Sequence, residues 1–134
     1  MRSVVAIAGV IAVIGLSAFA GPESRVPAKP AQVMVHCPSG SHAAYVTPKS
    51  LTIHLGESVA WMMTGQVTSD SLIIALKNPK QAWPFAGTPP RGGHSAQADS
   101  AHTKGTYMYS VSLRCRMPGG HTQPVTIDPA IIIE

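Results

Sequence analysis

The segment Tyr107–Cys115 reads YMYSVSLRC and alternates apolar side chains with largely polar ones over nine residues. A period of two residues places one set of side chains on each face of an extended strand. One face of the segment is therefore apolar and the other largely polar, as in an antiparallel strand that covers a core. The segment predicts a long, half-buried β-strand.

The same period recurs elsewhere in the chain. Leu51–Leu55 and Val59–Met63 alternate in this way, and Leu55–Ser58 (LGES) supplies a glycine-containing turn between the two strands. Shorter candidate strands are Val33–His36, Ala44–Val46, Ser71–Leu76, Pro124–Ile127 and Ile131–Ile133. No amphipathic helical period follows Ala20. We therefore predict an all-β fold, a β-sandwich of about seven strands.

Length and composition fit one small β domain. A chain of 134 residues is long enough for one core and too short for several domains. Its 12 glycines and 12 prolines disfavour a helical bundle, and its 45% apolar content excludes a disordered chain. Lys and Arg outnumber Asp and Glu by 10 to 6, but they form no basic run. Nucleic-acid binding is therefore not expected.

The first 20 residues form a hydrophobic leader. Arg2 precedes an apolar run over Val4–Phe19, and Ala18 and Ala20 are the small residues that a signal peptidase recognises. We predict an N-terminal hydrophobic helix, either a cleaved signal peptide or an uncleaved membrane anchor, over residues 1–20. A linker follows at 21–32 and the β-sandwich at 33–134. The sandwich is then periplasmic or otherwise extracytoplasmic, with membrane contact only through residues 1–20 if they are not cleaved.

The stretch 77–105 interrupts the alternation with four prolines and four glycines. A loop of this length is unusual inside a compact domain. Its bulky triplet Trp83-Pro84-Phe85 has two interpretations: a plug over one open end of the sandwich, or an exposed finger that docks on a partner. The polar segment 88–103 is expected to be a flexible loop.

The segment 51–61, LTIHLGESVAW, resembles the early hairpin of cupredoxins, and Lys104–Tyr109 (KGTYMY) resembles their G-x-Y-x-Y strand. The chain is similar, more closely, to small exported bacterial cupredoxin-like proteins through its loop Trp83–Gly87 (WPFAG) and its ending Asp128–Ile132 (DPAII). The resemblance covers about residues 50–127. It implies a Greek-key β-sandwich of the plastocyanin and azurin type.

The resemblance raises the question of copper. A blue-copper site needs two imidazoles and a thiolate, with a weak axial thioether. If copper binds, the resemblance assigns it to Cys115, His121 and Met117. A displaced fourth ligand would then be His54, His94 or His102. However, the segment 67–72 lacks the first family histidine and no Met follows His121, so the interpretation favours a fold without copper or any other cofactor.

Cys37 and Cys115 are the only cysteines. In an exported chain they can form a disulfide, which would exclude the copper thiolate, but the sequence leaves their separation open. The chain contains neither a Gly-x-Ser-x-Gly nucleophile motif nor paired carboxylates at a catalytic spacing. An enzyme is not expected.

Two functions remain. The first is a non-catalytic exported binding or structural module, an accessory or stabilising subunit of a membrane protein complex such as an electron-transfer or photosynthetic complex. Its partner would be a protein, contacted through Trp83, Pro84 and Phe85. The alternative is a periplasmic copper-binding electron-transfer protein or copper carrier.

Overall fold

A computed structural model of the chain describes Gly21 and residues 28–134, so the predicted leader and most of the predicted linker lie outside the described residues. All regular elements in the described part are β-strands. In chain order they are β1 (Ala31–His36), β2 (Tyr45–Thr47), β3 (Ser50–Ile53), β4 (Val59–Thr64), β5 (Ser69–Leu76), β6 (Arg91–Gly92), β7 (Ser95–Ala98), β8 (Gly105–Arg116), β9 (Thr122–Ile127) and β10 (Ala130–Ile133). The predicted all-β class is confirmed.

The strands form two mixed sheets. The first sheet has the order β2-β1-β4-β7, and β1 runs parallel to β4. The second sheet has the order β3-β10-β8-β5-β6, with β9 also paired to β8 and β10 parallel to β3. Buried side chains of both sheets belong to one hydrophobic cluster, so the two sheets enclose a single core.

Strand β8 is the longest element and organises the second sheet. It pairs with β5 along one edge and with β9 and then β10 along the other. The β8–β9 ladder ends at the pair Val111↔Ile127, and the β8–β10 ladder begins at the pair Met108↔Ala130. The second pair is three residues from the first on each side of the ladder. The interruption at Pro129 therefore leaves the register unchanged, and the Tyr109 N–H donates to the Pro129 carbonyl across it at 3.1 Å.

Trp61 of β4 and Tyr109 of β8 meet at the centre of the core, where they are 0% and 1% exposed. Their rings pack edge to face with centroids 5.7 Å apart, and the indole Nε1–H donates to the phenol oxygen at 3.1 Å. The phenol oxygen thus accepts the indole N–H in a place that water does not reach. Burial disfavours the phenolate and raises the pKa of Tyr109 to about 12, although the Trp61 hydrogen bond lowers it in part.

Every segment that the alternation marked forms a strand, with boundaries that shift by at most two residues. The predicted hairpin between Leu51 and Met63 is wrong, however, because β3 lies in the second sheet and β4 in the first. The turn between them crosses from one sheet to the other. Glu57 closes it, since its carboxylate accepts the His54 N–H at 2.6 Å and its own N–H donates to the His54 carbonyl.

The expectation of a flexible loop over 88–103 is also wrong. Strand β6 pairs with β5, and β7 pairs with β4 along the edge of the first sheet. A Cβ on Gly92 would overlap the Ser95 carbonyl, so glycine permits the tight turn between β6 and β7. The apolar–polar alternation of β7 is weak in the sequence because its inward residues, Ala96 and Ala98, are small and are poor strand formers. The segment forms a strand because it pairs with β4.

We predict that Tyr109→Phe lowers the free energy of unfolding by about 1–3 kcal/mol at pH 7, because the buried Trp61 N–H loses its acceptor. The phenol ionises at pH 10.0 in the reference state and at about 12 when folded. Tyr109 is therefore neutral in both states below pH 10, and between pH 10 and 12 its ionisation in the unfolded state destabilises the wild type. The variant lacks this loss, so the stability difference should narrow over that range.

Urea unfolding of both proteins at pH 8, 10 and 11 measures the difference. A difference that stays constant from pH 8 to pH 11 would contradict the role given to the Tyr109 phenol. Every other titrating group is present in both proteins, so its effect on the free energy of unfolding cancels in the difference.

Candidate functional site

A disulfide joins the two sheets at one end of the sandwich. Cys37 follows β1 of the first sheet, Cys115 lies near the end of β8 of the second, and their Cα atoms are 5.7 Å apart. Cys37 is 5% exposed and Cys115 is fully buried. The bond therefore crosses the core side of both sheets, and we call this end of the molecule, with the loops 37–44, 65–68, 93–94 and 117–121, the disulfide end.

The blue-copper set that the resemblance assigns does not fit this arrangement. The Cys115 sulfur is bonded to Cys37 and supplies no thiolate. Met117 and His121 lie in the β8–β9 turn, where the Met117 N–H donates to the His121 carbonyl at 2.9 Å. Of the histidines considered as a fourth ligand, His94 lies at the disulfide end, while His54 and His102 lie in loops at the opposite end.

A cleft of about 310 Å³ opens at the disulfide end between the β1–β2 loop and the loop that follows β4. His36 and His42 both line it, and Cys37 lies in its wall. The His36 ring stacks on Tyr45 with centroids 4.2 Å apart and planes 9° apart. Two backbone hydrogen bonds between Ser39 and His42, of 2.9 and 3.0 Å, hold the turn that carries His42. The cleft thus presents two imidazoles on fixed backbone.

A second cleft of about 220 Å³ lies on the other side of the β4–β5 loop and is lined by charged groups. Arg114, Arg116 and His94 provide its basic side, and Asp70 provides its carboxylate. Arg116 and Asp70 approach to 3.9 Å with both side chains about three-quarters exposed, so their attraction is weak. The disulfide end therefore carries four of the six histidines of the chain, His36, His42, His94 and His121.

The triplet interpreted either as a plug or as a docking finger is folded against the core. Pro84 and Phe85 are buried, and the Phe85 backbone pairs with Ala101. Trp83 is half-buried against Phe85, with ring centroids 5.2 Å apart, and its Nε1 is buried without a hydrogen-bond partner. The docking interpretation is wrong for Pro84 and Phe85, since side chains inside the core cannot anchor a partner. The arrangement is that of the plug.

Sequence reasoning missed the grouping of His36 with His42 and gave no role to the methionines of the first sheet. Strand β1 did carry a usable signal, because Met34 and His36 are two residues apart and must share a face. The side chains next to Met34 and His36 come from β4 and β2, and no local sequence pattern predicts which strands pair with β1.

We predict that the double variant Cys37→Ala/Cys115→Ala folds but has a free energy of unfolding lower by about 2–4 kcal/mol, because the bond closes a long loop in the unfolded chain. The sequence separation of 78 residues places the pair among long loops. Urea unfolding of the oxidised wild type and the double variant measures the loss. The wild type after reduction should match the variant, and equal stability of the oxidised protein and the variant would contradict the prediction.

Within the described residues, no helix is long and apolar enough to span a membrane. Over the same part of the chain, no three His, Cys, Asp or Glu side chains gather into a metal-binding group. Comparison of the chain with protein-family models and with curated proteins gives no match.

Proposed function

We propose that the chain is a non-catalytic exported module that binds a protein, acting as an accessory or stabilising subunit of a membrane complex such as an electron-transfer or photosynthetic complex. The disulfide supports an extracytoplasmic location, because structural disulfides persist in oxidising compartments such as the periplasm. The two sheets around one core and the long β8 support a cupredoxin-like Greek-key arrangement.

The observation that carries the proposal is the outer face of the second sheet. The side chains of this face alternate with the buried ones along the strands, and nine of those near its centre are uncharged. They are Ser71, Ile73, Ala75, Met108, Ser110, Ser112, Pro124, Thr126 and Ile132. Met108 is 45% exposed and Ile73 is 36% exposed, so large apolar groups stand among the hydroxyl side chains of this surface. Charged groups flank the two apolar side chains: Arg91 is paired with Ile73, and Lys77, whose ammonium bonds Asp128 at 2.7 Å, donates its N–H to the Met108 carbonyl. Apolar side chains surrounded by polar and charged ones are typical of a protein interface.

The charges around this face indicate the chemistry of the partner. Arg114 and Arg116 continue the outward row of β8 at the disulfide end, and both are exposed. Asp70 offsets part of the charge of Arg116 from a distance of 3.9 Å. A complementary partner surface would be apolar at its centre, with acidic side chains where it meets the arginines. We therefore propose a protein partner with that pattern.

The alternative of a copper electron-transfer protein finds less support. It needs the Cys115 thiolate, and Cys115 is bonded to Cys37 in the interior. The proposed module needs no reactive sulfur, and the disulfide serves it by holding the two sheets together.

The docking face can be tested in cells of the source organism that produce the full chain with a photo-crosslinking residue at position 73 of the face. The matched control places it at position 55 in the β3–β4 turn, because Leu55 is 46% exposed and lies outside the face. We expect a discrete membrane-protein adduct from position 73 and none from position 55.

A second pair of variants separates contact from chance proximity. In the chain that carries the photo-crosslinker at position 73, Met108→Glu should abolish the adduct, because it replaces an apolar contact of the interface with a carboxylate that must lose its water on docking. Leu55→Glu should leave it unchanged. Adducts of equal yield from positions 73 and 55, or an adduct that survives Met108→Glu, would overturn the proposed docking face.

A further inference from the structure

The opposite face of the molecule, on the outside of the first sheet, brings two methionines and a histidine together. Val33 and Val35 of β1 are fully buried, so Met34 and His36 point outward. Val59 and Trp61 of β4 are likewise buried, and Met62 points outward. All three side chains therefore lie on one face of one sheet.

The register makes the two methionines direct neighbours. Strands β1 and β4 are parallel, and Met34 is paired with Met62. Adjacent strands are about 4.8 Å apart, and the two thioether sulfurs lie at the ends of flexible side chains of equal length. One ion can therefore contact both sulfurs without movement of the backbone. Met62 is 38% exposed and Met34 is half-buried, so an ion bound between them would face solvent on its outer side and the sheet on its inner side.

The third group, His36, lies two residues beyond Met34 on the same face, at a rise of about 6.6 Å along the strand. Its backbone is paired with Tyr45 on one side and Thr64 on the other. The Tyr45 ring stacks flat on the imidazole at 4.2 Å and restricts its rotation. The imidazole thus stands on the same face of the sheet as the methionine pair and is held by a rigid strand, which is the support that a metal ligand requires.

The chemistry of these three groups selects the ion. Thioethers are soft ligands that favour Cu(I), whereas Mg²⁺ and Ca²⁺ require oxygen ligands. Two thioethers and a neutral imidazole bring no negative charge to the site. Arg91 lines the same shallow cleft as Met62, so its positive charge disfavours a divalent ion more than a monovalent one. The set is suited to a soft monovalent cation.

We propose that Met34, Met62 and His36 form a surface binding site for Cu(I), separate from the Cys115, Met117 and His121 set that the cupredoxin resemblance assigns. Binding replaces the ligands of the delivered ion and transfers no electron. The site lies on the first sheet and the proposed docking face on the second, so each can fail without the other.

The test is anaerobic titration of the full chain with Cu(I) held by the chromophoric chelator bicinchoninate, with ascorbate as reductant. Ascorbate leaves disulfides intact, so both cysteines remain bonded and no thiol competes for the ion. We expect one equivalent of Cu(I) to be withdrawn from the chelator. The double variant Met34→Leu/Met62→Leu should bind at least about tenfold more weakly, since both sulfurs are lost while side-chain volume is nearly conserved.

Two control variants distinguish Cu(I) binding at this site from Cu(I) binding by any exposed methionine and from Cu(I) binding in the β8–β9 turn near Cys115. Met108→Leu removes an exposed methionine on the other sheet and should leave the affinity unchanged. Met117→Leu removes the methionine of the rival set and should also leave it unchanged. Far-ultraviolet circular dichroism of each variant verifies that the sheet structure is retained.

A second measurement does not depend on affinity. In protein labelled with ¹³C at the methionine methyl groups, Cu(I) should shift the resonances of Met34 and Met62 and leave that of Met108 in place. No withdrawal of Cu(I), equal affinity of the Met34→Leu/Met62→Leu variant, or loss of binding in Met117→Leu would each overturn the proposed site.

Discussion

The covalent link between Cys37 and Cys115 is the constraint on which the disulfide end depends. It ties the end of β1 in the first sheet to the end of β8 in the second, at a point where Cys115 is fully buried and Cys37 is 5% exposed. The loops on either side of it, 37–44 and 117–121, must start from that point. Because Cys37 and Cys115 are bonded to each other, neither supplies a thiolate ligand to a metal. The atoms that hold the sheets together therefore exclude thiolate coordination at this end.

The centre of the molecule relies on a second contact between the sheets. Trp61 and Tyr109 fill the core with large rings, and the Tyr109 oxygen accepts the hydrogen bond that the buried Trp61 N–H needs. Because the inward faces are taken up by this packing, the outward faces carry the side chains that are open to solvent. These differ in chemistry: hydroxyls, Ile73 and Met108 on the second sheet, and Met34, Met62 and His36 on the first.

Much of the strand content could be predicted from alternation alone. The buried row of β8, from Tyr107 to Cys115, is visible in the sequence because a strand with one exposed and one buried face has an apolar residue at every second position. The turn role of Glu57 was likewise local, since its carboxylate reaches a backbone group three residues away. Cys37 and Cys115 showed that a bridge was possible, but their spacing of 78 residues carries no information about distance in space.

What the sequence by itself determined was the β class, the inward face of each long strand and the pair of sulfurs available for bonding. The tertiary structure alone decided that β3 and β4 part into different sheets, that Ser95–Ala98 becomes an edge strand, and that Phe85 is buried. It also decided that Met34 pairs with Met62. The physical reason is that alternation specifies which way a side chain points, whereas its neighbours across the sheet depend on pairing between segments distant along the chain.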